Sequence, residues 1–347
     1  MNLPFQPPLA PMEAKSVPAV PRGDGWQYEP KWDGFRAICF RDGDDVFISS
    51  RKELPFARYF PEIVEAIKTL DESRCVVDGE IVVFTPDGRG LDFDTLQQRI
   101  HPAESRVRRL MKETPASFVA FDLLAQQDDD LRSTPFGDRR ARLNDIMSNA
   151  APPLFLSPCT DDPDTAATWL TDYDVAGLDG VVAKRLDAVY RSGEREMRKV
   201  KRERTADCVL VGYRWAKDLE GVAVGSLLLG LYGPDGELHQ VGFTSGFTVE
   251  ARRELLTVLE PHRTGRSEAA PPGMNAFSRW NREKDLGFEQ LAPELVCEVA
   301  FDQVTGHRIR HGARFLRWRF DKPPARCTFE QLRQVSVKDV RAVLGAG

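Results

Sequence analysis

Glu29-Pro-Lys-Trp-Asp-Gly-Phe-Arg36 puts a lysine, a carboxylate and a glycine within four positions. A lysine attacks an electrophile only when unprotonated, so a reactive one needs cationic neighbours or desolvation to lower its pKa. Gly34 beside it lets the backbone approach a ligand closely. Taken alone, the stretch reads more readily as a surface hairpin with a chance Lys and Asp. Four later segments shift that balance. Val76-Val-Asp-Gly-Glu80 sets two acids at the end of an apolar strand, and Phe118-Val-Ala-Phe-Asp-Leu-Leu124 sets an aromatic and an acid within another. Leu178-Asp-Gly-Val-Val-Ala-Lys184 repeats acid-then-glycine with a lysine five residues on. Lys199-Val-Lys201 alternates, which directs both lysines to one strand face. Each segment alone has a structural explanation. Five in this order are hard to ascribe to chance.

Around these segments the pattern is strand-rich. Residues 34–40 and 45–50 flank the turn RDGD as a hairpin, and residues 75–84 and 116–124 read as strands. Residues 59–70, 92–100 and 162–174 have helical spacing or composition, the last preceding a strand at 177–186. Residues 1–25, rich in proline, read as an extended arm. After about Arg204 the chain reads as antiparallel strands (206–215 and 225–244, with a PDG hairpin turn), one helix (249–262), a Pro/Gly-rich loop at 269–273 and a strand at 295–302. That succession fits a small β-barrel, with an OB-fold leading. The expected class is α+β, with residues 1–204 as one domain and 205–347 as a barrel domain.

At 347 residues the chain is long enough for two cores. With 41% hydrophobic and 29% charged residues it reads as globular and not as disordered. No apolar run spans a bilayer, and the N-terminus lacks the basic start and apolar stretch of a signal peptide, so the cytoplasm is the expected location. Six dispersed cysteines without a CxxC pair read as free buried thiols. The run at 128–130 reads as a solvated loop. Net charge is −5, which argues against nucleic acid on average. Local bias argues the other way: residues 191–204 hold seven basic and three acidic residues, and residues 305–326 hold seven Lys or Arg and one Asp.

In the order and spacing of the five segments, the chain resembles the nucleotidyltransferases of the ATP-dependent DNA ligase family. Most closely it resembles the short bacterial ligases called LigC, of mycobacterial type. The resemblance runs from Lys31 to Lys201 and continues into the C-terminal barrel. It implies an adenylation domain with antiparallel sheets around an ATP cleft, followed by an OB-fold. Lys31 would attack the α-phosphate of ATP, and Asp33 would orient it and help hold a metal ion. Arg36 and Glu80 match ribose contacts, with Glu80 also a metal candidate. Arg51 matches a contact to phosphate or the nicked strand. Phe121 matches the aromatic stacked on adenine, and Glu29 would lie near the adenine edge. Asp179 stands where the family usually has Glu as a metal ligand. Lys199 and Lys201 match the pair that contacts the α-phosphate. Met197 stands where the family often has Trp. Residues 308–322 resemble the family's last motif, which gives Arg317, Arg319, Asp321 and Lys322 a role in orienting pyrophosphate; DNA backbone contact or a solvated strand are the other readings.

The resemblance implies sealing of 5′-phosphate/3′-hydroxyl nicks through lysine–AMP and DNA–adenylate intermediates, using ATP and Mg²⁺ or Mn²⁺, in DNA repair. The expected partner is nicked duplex DNA. A DNA end-binding protein such as Ku is a candidate that no residue specifies, and a monomer without membrane contact is expected. An mRNA capping guanylyltransferase shares the lysine–nucleotide chemistry, and RNA ligation is a related reading. A non-catalytic nucleic-acid-binding module would need a decayed site, against which Lys31, Asp33, Glu80, Lys199 and Lys201 all stand.

Overall fold

The computed structural model describes residues 1–172, 177–268, 287–310, 312–332, 339, 340 and 344. The chain divides into two compact units: Met1–Arg202 with Val335–Gly347, and Glu203–Gln334.

Among the described residues, two sheets build the first unit. In one, the strands Glu13–Ser16, Arg195–Val200, Leu178–Arg185 and Trp26–Trp32 are neighbours in that order. In the other, Asp45–Ser50, Phe35–Asp42, Arg74–Val83 and Ala116–Gln126 follow one another. Pairing is antiparallel except for Glu13–Ser16 on Arg195–Val200 and Leu154–Leu156 on Ala116–Gln126, which are parallel. The helix expected within residues 59–70 forms over Pro61–Ile67, with proline at its first turn where a missing N–H costs nothing. It packs Ile63 and Ile67 with Phe60, Val77, Phe118 and Leu123 under the second sheet. A second cluster, with Tyr28, Trp32, Val119, Phe121 and Trp169, fills the other face of that sheet. The site lies along this second cluster.

Two helices were not read from the sequence, Glu104–Glu113 and Phe136–Met147. The latter buries Arg139, which is fully enclosed and forks onto Asp122 at 2.8 and 2.9 Å. Residues 128–130 hold the short exposed strand Asp129–Asp130, paired to Ala116–Gln126. The expected N-terminal arm is extended but is built into the unit: Leu3 and Met12 are buried, and Glu13–Ser16 is an edge strand. The tail also differs from the sequence reading, which gave everything after residue 204 to the barrel. Val340 is fully buried in the first unit's second cluster, and its N–H donates to the carbonyl of Arg89.

The second unit curls around one long strand, Arg204–Trp215. Its first half pairs with Val296–Phe301, and its second half pairs with Val224–Tyr232 and Phe288–Leu291. Bulges after Leu210 and Arg214 bend it enough to serve two sheet segments. Gly212 permits the bend, since a Cβ there would lie 2.4 Å from the Glu289 carbonyl. Val224–Tyr232 continues to Leu238–Thr244, and Val296–Phe301 pairs with Arg314–Trp318. The helix Val249–Leu259, capped by Thr248, packs Leu255 and Leu259 into the barrel core. The loop expected at 269–273 lies outside the described residues. The six cysteines are free; all are buried except Cys159.

Candidate active site

Lys31 faces a cleft because of its neighbours. Trp32, 4% exposed, turns inward and its indole N–H donates to Ser157 Oγ at 3.0 Å, so strand alternation sends Lys31 the other way. The pairing with Leu178–Arg185 slips between Pro30 and Trp32. This irregularity brings Lys31 onto Asp179, with which it forms an ion pair. Asp179 Oδ2 also takes Lys201 at 3.0 Å. Burial alone would raise the Asp179 carboxyl, yet Lys31 and Lys201 hold it below its ordinary value. Gly180 follows at φ +127°, where a Cβ would sit 2.0 Å from the Val200 carbonyl; only glycine lets these strands meet. Gly34 has a similar task. Its hypothetical Cβ would lie 2.2 Å from the Ile81 carbonyl, so glycine lets this turn approach a neighbouring strand closely, and Gly34 also lines the cavity.

A cavity of about 240 Å³ is lined by Glu29, Lys31, Asp33, Arg36, Arg51, Glu80, Phe121 and Lys199. Asp179 joins them through its ion pair with Lys31, and Lys201 through its own pair with Asp179. All ten residues singled out in the first unit therefore belong to one constellation. Glu80, opposite Arg36 in the strand register, is pushed up to about 7 by burial. Arg36 and Lys31 oppose that rise, while Asp33 and Asp78 add to it. Burial, then the charges of Lys31, Lys201 and Arg51, pull Lys199 below its ordinary value. Phe121 is 6% exposed; Arg36 lies 4.4 Å from its ring centre and the Lys184 ammonium 4.7 Å. Its ring is thus both core and cleft wall.

Several contributors escaped the sequence reading. Lys184 is buried, pairs with Glu29 at 2.7 Å and donates to the Phe121 carbonyl at 3.2 Å. Burial draws its ammonium below the ordinary value. Arg140 reaches Glu29 at 3.4 Å, so Glu29 is held by two cations and not presented alone. Asp78, fully buried, grips Arg36 through two bonds of 2.6 and 2.7 Å. Glu13 takes Arg51 at 2.5 Å and Arg195 at 3.3 Å, and it lines the cavity with Pro11, Met12 and Ala14. Sequence signals existed only for Lys184, five residues after Asp179, and for Asp78, beside Gly79 and Glu80. Nothing local marked the others.

The residues of the C-terminal motif lie in the second unit. Arg319 forks onto Asp321 at 2.9 Å and reaches Asp207 at 2.8 Å. Lys322 meets Asp207 at 3.3 Å and Arg317 meets Glu298 at 2.6 Å.

An amine, carboxylates and several cations around one cavity are what transfer of a nucleotidyl group requires, because attack at phosphorus needs its oxygens neutralised and the nucleophile positioned. The model for the ATP dependent DNA ligase domain matches residues 9–201, and that for the ATP dependent DNA ligase C terminal region matches residues 220–322. DNA ligase C of Mycobacterium tuberculosis is 50% identical over 98% of this chain and 99% of its own length. The chain belongs to the ATP-dependent DNA ligase family. This ligase is also 32% identical, over 93% of its length, to 37% of the multifunctional non-homologous end joining protein LigD of Pseudomonas aeruginosa. A solved Lig E DNA ligase agrees in fold at a TM-score of 0.56, with 19% identity, covering 91% of this chain and 100% of that one. The fold class is accordingly a nucleotidyltransferase domain followed by an OB-fold. The protein is an enzyme, a DNA ligase that uses ATP.

Proposed function

We propose that this ligase joins strands through an AMP carried on Lys31. The observation that supports this most is that Lys31, Asp33, Glu80 and Lys199 share one cavity, with Asp179 bridging Lys31 to Lys201. Lys31 leaves Asp179, gives up a proton, and its Nζ forms a bond to the α-phosphorus of ATP as the bond to pyrophosphate breaks. Lys199 and Lys201 neutralise the α-phosphate oxygens, Arg36 and Glu80 hold the ribose, and Phe121 stacks on adenine with Glu29 at its edge. Arg51 contacts phosphate or the nicked strand. AMP then passes to the 5′-phosphate of a nick, and the 3′-hydroxyl displaces it.

Asp33 and Glu80 offer hard oxygen ligands suited to Mg²⁺ or Mn²⁺, and their mutual repulsion is of the kind a nearby cation relieves. Among the described residues no group of three His, Cys, Asp or Glu side chains is poised to hold a metal. Asp179 is occupied by its lysines and would join only after they turn to phosphate. When bound, the ion supplies charge neutralisation at the phosphate oxygens.

In the second unit, Arg317, Arg319, Asp321 and Lys322 orient the departing pyrophosphate, and the basic segment 305–326 grips duplex through phosphates without sequence preference. The name of the Pseudomonas relative favours a repair role; an end-binding protein such as Ku as partner, a cytoplasmic location and a monomeric state complete the proposal and rest on the family resemblance alone. No helix among the described residues is long and apolar enough to cross a membrane. The test is incubation with labelled ATP or GTP, Mg²⁺, and nicked DNA or RNA. Label from ATP alone, and sealing of DNA, support the proposal; label from GTP would favour a capping guanylyltransferase.

A further inference from the structure

The Arg36 guanidinium lies over Phe121, 4.4 Å from its ring centre, and a four-part relay fixes it there. Asp78 is fully buried and accepts from Arg36 Nε at 2.6 Å and Nη2 at 2.7 Å. Its Oδ2 also accepts from the Tyr190 hydroxyl at 2.7 Å. That same hydroxyl accepts the backbone N–H of Met12 at 2.9 Å. Met12 closes the circuit, for its carbonyl accepts from Arg36 Nη2 at 3.4 Å. Tyr190 is 5% exposed, and burial, with Asp78 beside it, pushes its phenol well above the ordinary value, so it remains a donor.

The turn that carries Tyr190 holds the N-terminal arm at further points. Ser192 Oγ donates to the Ala10 carbonyl at 2.6 Å, and the Gly193 N–H donates to the Pro11 carbonyl at 3.3 Å. Farther back on the arm, Phe5 packs edge-on against Phe40 at 5.9 Å. The arm residues Pro11 to Ala14 then form part of the cavity wall.

We infer that Tyr190 is a positioning residue for nucleotide binding: its hydroxyl ties the N-terminal arm to Asp78 and thereby sets Arg36 over Phe121. The inference rests on the reading of Arg36 and Phe121 as nucleotide contacts. A buried hydroxyl with one donor bond and one acceptor bond leaves two groups short when removed, Met12 N–H and Asp78 Oδ2. The carboxylate then has freedom to re-aim its guanidinium, and the arm loses its tether beside the cavity.

The experiment is single-turnover self-adenylation of the full chain across ATP concentrations, comparing wild type, Tyr190→Phe, Arg36→Lys and the double variant. Tyr190→Phe keeps the ring, and Arg36→Lys keeps a cation for Asp78 while losing the planar fork. Tyr190→Phe is expected to raise the ATP dissociation constant roughly fivefold to tenfold, with the saturating rate changed by less than about twofold. In the Arg36→Lys background the same change should add less than about twofold, because both substitutions act through one group. An unchanged dissociation constant would overturn the inference, including when fewer molecules accept AMP, which is the signature of a merely structural role. An equal rise in both backgrounds would overturn it too, since Tyr190 would then act without Arg36. If Arg36→Lys alone leaves ATP affinity unchanged, the reading of Arg36 as a nucleotide contact falls, and this inference with it.

Discussion

Lys31, Lys199 and Lys201 of the cleft and the cations of barrel residues 314–322 differ in how they are partnered. In the cleft, Lys31 and Lys201 share one oxygen of Asp179, and Lys199 is pulled down partly by their charge. In the barrel, each cation has a carboxylate near it: Arg319 has Asp207 and Asp321, Lys322 has Asp207, Arg317 has Glu298 and Arg314 has Glu203. Crowded cations raise one another's energy and draw in an anion such as a triphosphate. Paired cations are quiet until phosphate replaces their acids. Where the pair is exposed that exchange is cheap, since such pairs contribute only about 0–1 kcal/mol. In the cleft an incoming phosphate relieves lysines that crowd one carboxylate, whereas in the barrel segment each cation exchanges its own acid.

The largest expected effect is at the crowded end. Lys31→Ala should abolish the covalent AMP adduct while leaving some sealing of a nick that is already adenylated. Intact-mass measurement after ATP treatment checks the first half and a gel assay the second; an adduct persisting in the variant would break the contrast between the regions. Next comes the barrel. Arg319→Ala should slow self-adenylation roughly tenfold or more, because Asp207 and Asp321 hold this guanidinium in one orientation. Arg317→Ala, whose side chain is 64% exposed and held by one acid, should slow it less and also weaken the salt-sensitive part of duplex binding. Equal effects from the two variants would mean that pairing does not decide their roles.

Phe121 sharpens the comparison at the cleft wall. Truncation to Ala should cost about 3–5 kcal/mol of stability and also weaken ATP binding, because the ring serves core and cavity together. Phe121→Leu separates the two: the melting temperature should fall less, while ATP affinity should still drop for want of a π-face. Unchanged affinity in the Leu variant would make the residue core alone. The smallest effect concerns Glu80. Its carboxyl, ordinarily at 4.5, sits at about 7 in the fold, so folding takes up a proton between those values. Metal-free protein should therefore lose stability as pH rises from about 4.5 to about 7, and Glu80→Gln should flatten that part of the profile. Urea titrations at several pH values measure it; an unaltered slope in the variant would mean that Glu80 is not the group.

That the site residues meet in one cleft was legible because they are written in short local strings. An acid next to a glycine at a strand end, or two lysines in alternation, keeps its meaning when seen one segment at a time. The partners that hold those residues are not local. Arg99, Arg139 and Arg140 look like surface residues by type, yet they are enclosed by acids 37, 17 and 111 positions away. Likewise, Leu3 and Met12 show no strand or helix period, because what buries them is the packing of distant strands. The return of Val340 to the first unit had no signal in composition at all. In the barrel, alternation and turn chemistry disclosed the strands, but not that Arg204–Trp215 would bend at two bulges to serve both sides.

If AMP is carried on Lys31 and delivered to DNA, the modified peptide identifies the residue and DNA removes the group. Peptide mass mapping of wild-type protein tests it most directly, after ATP and Mg²⁺ and again after nicked duplex is added. An added AMP is expected on the peptide containing Lys31, lost once nicked DNA is supplied, with no adduct from GTP. An adduct on another residue, or one on Lys31 that nicked DNA leaves in place while sealing proceeds, would contradict it.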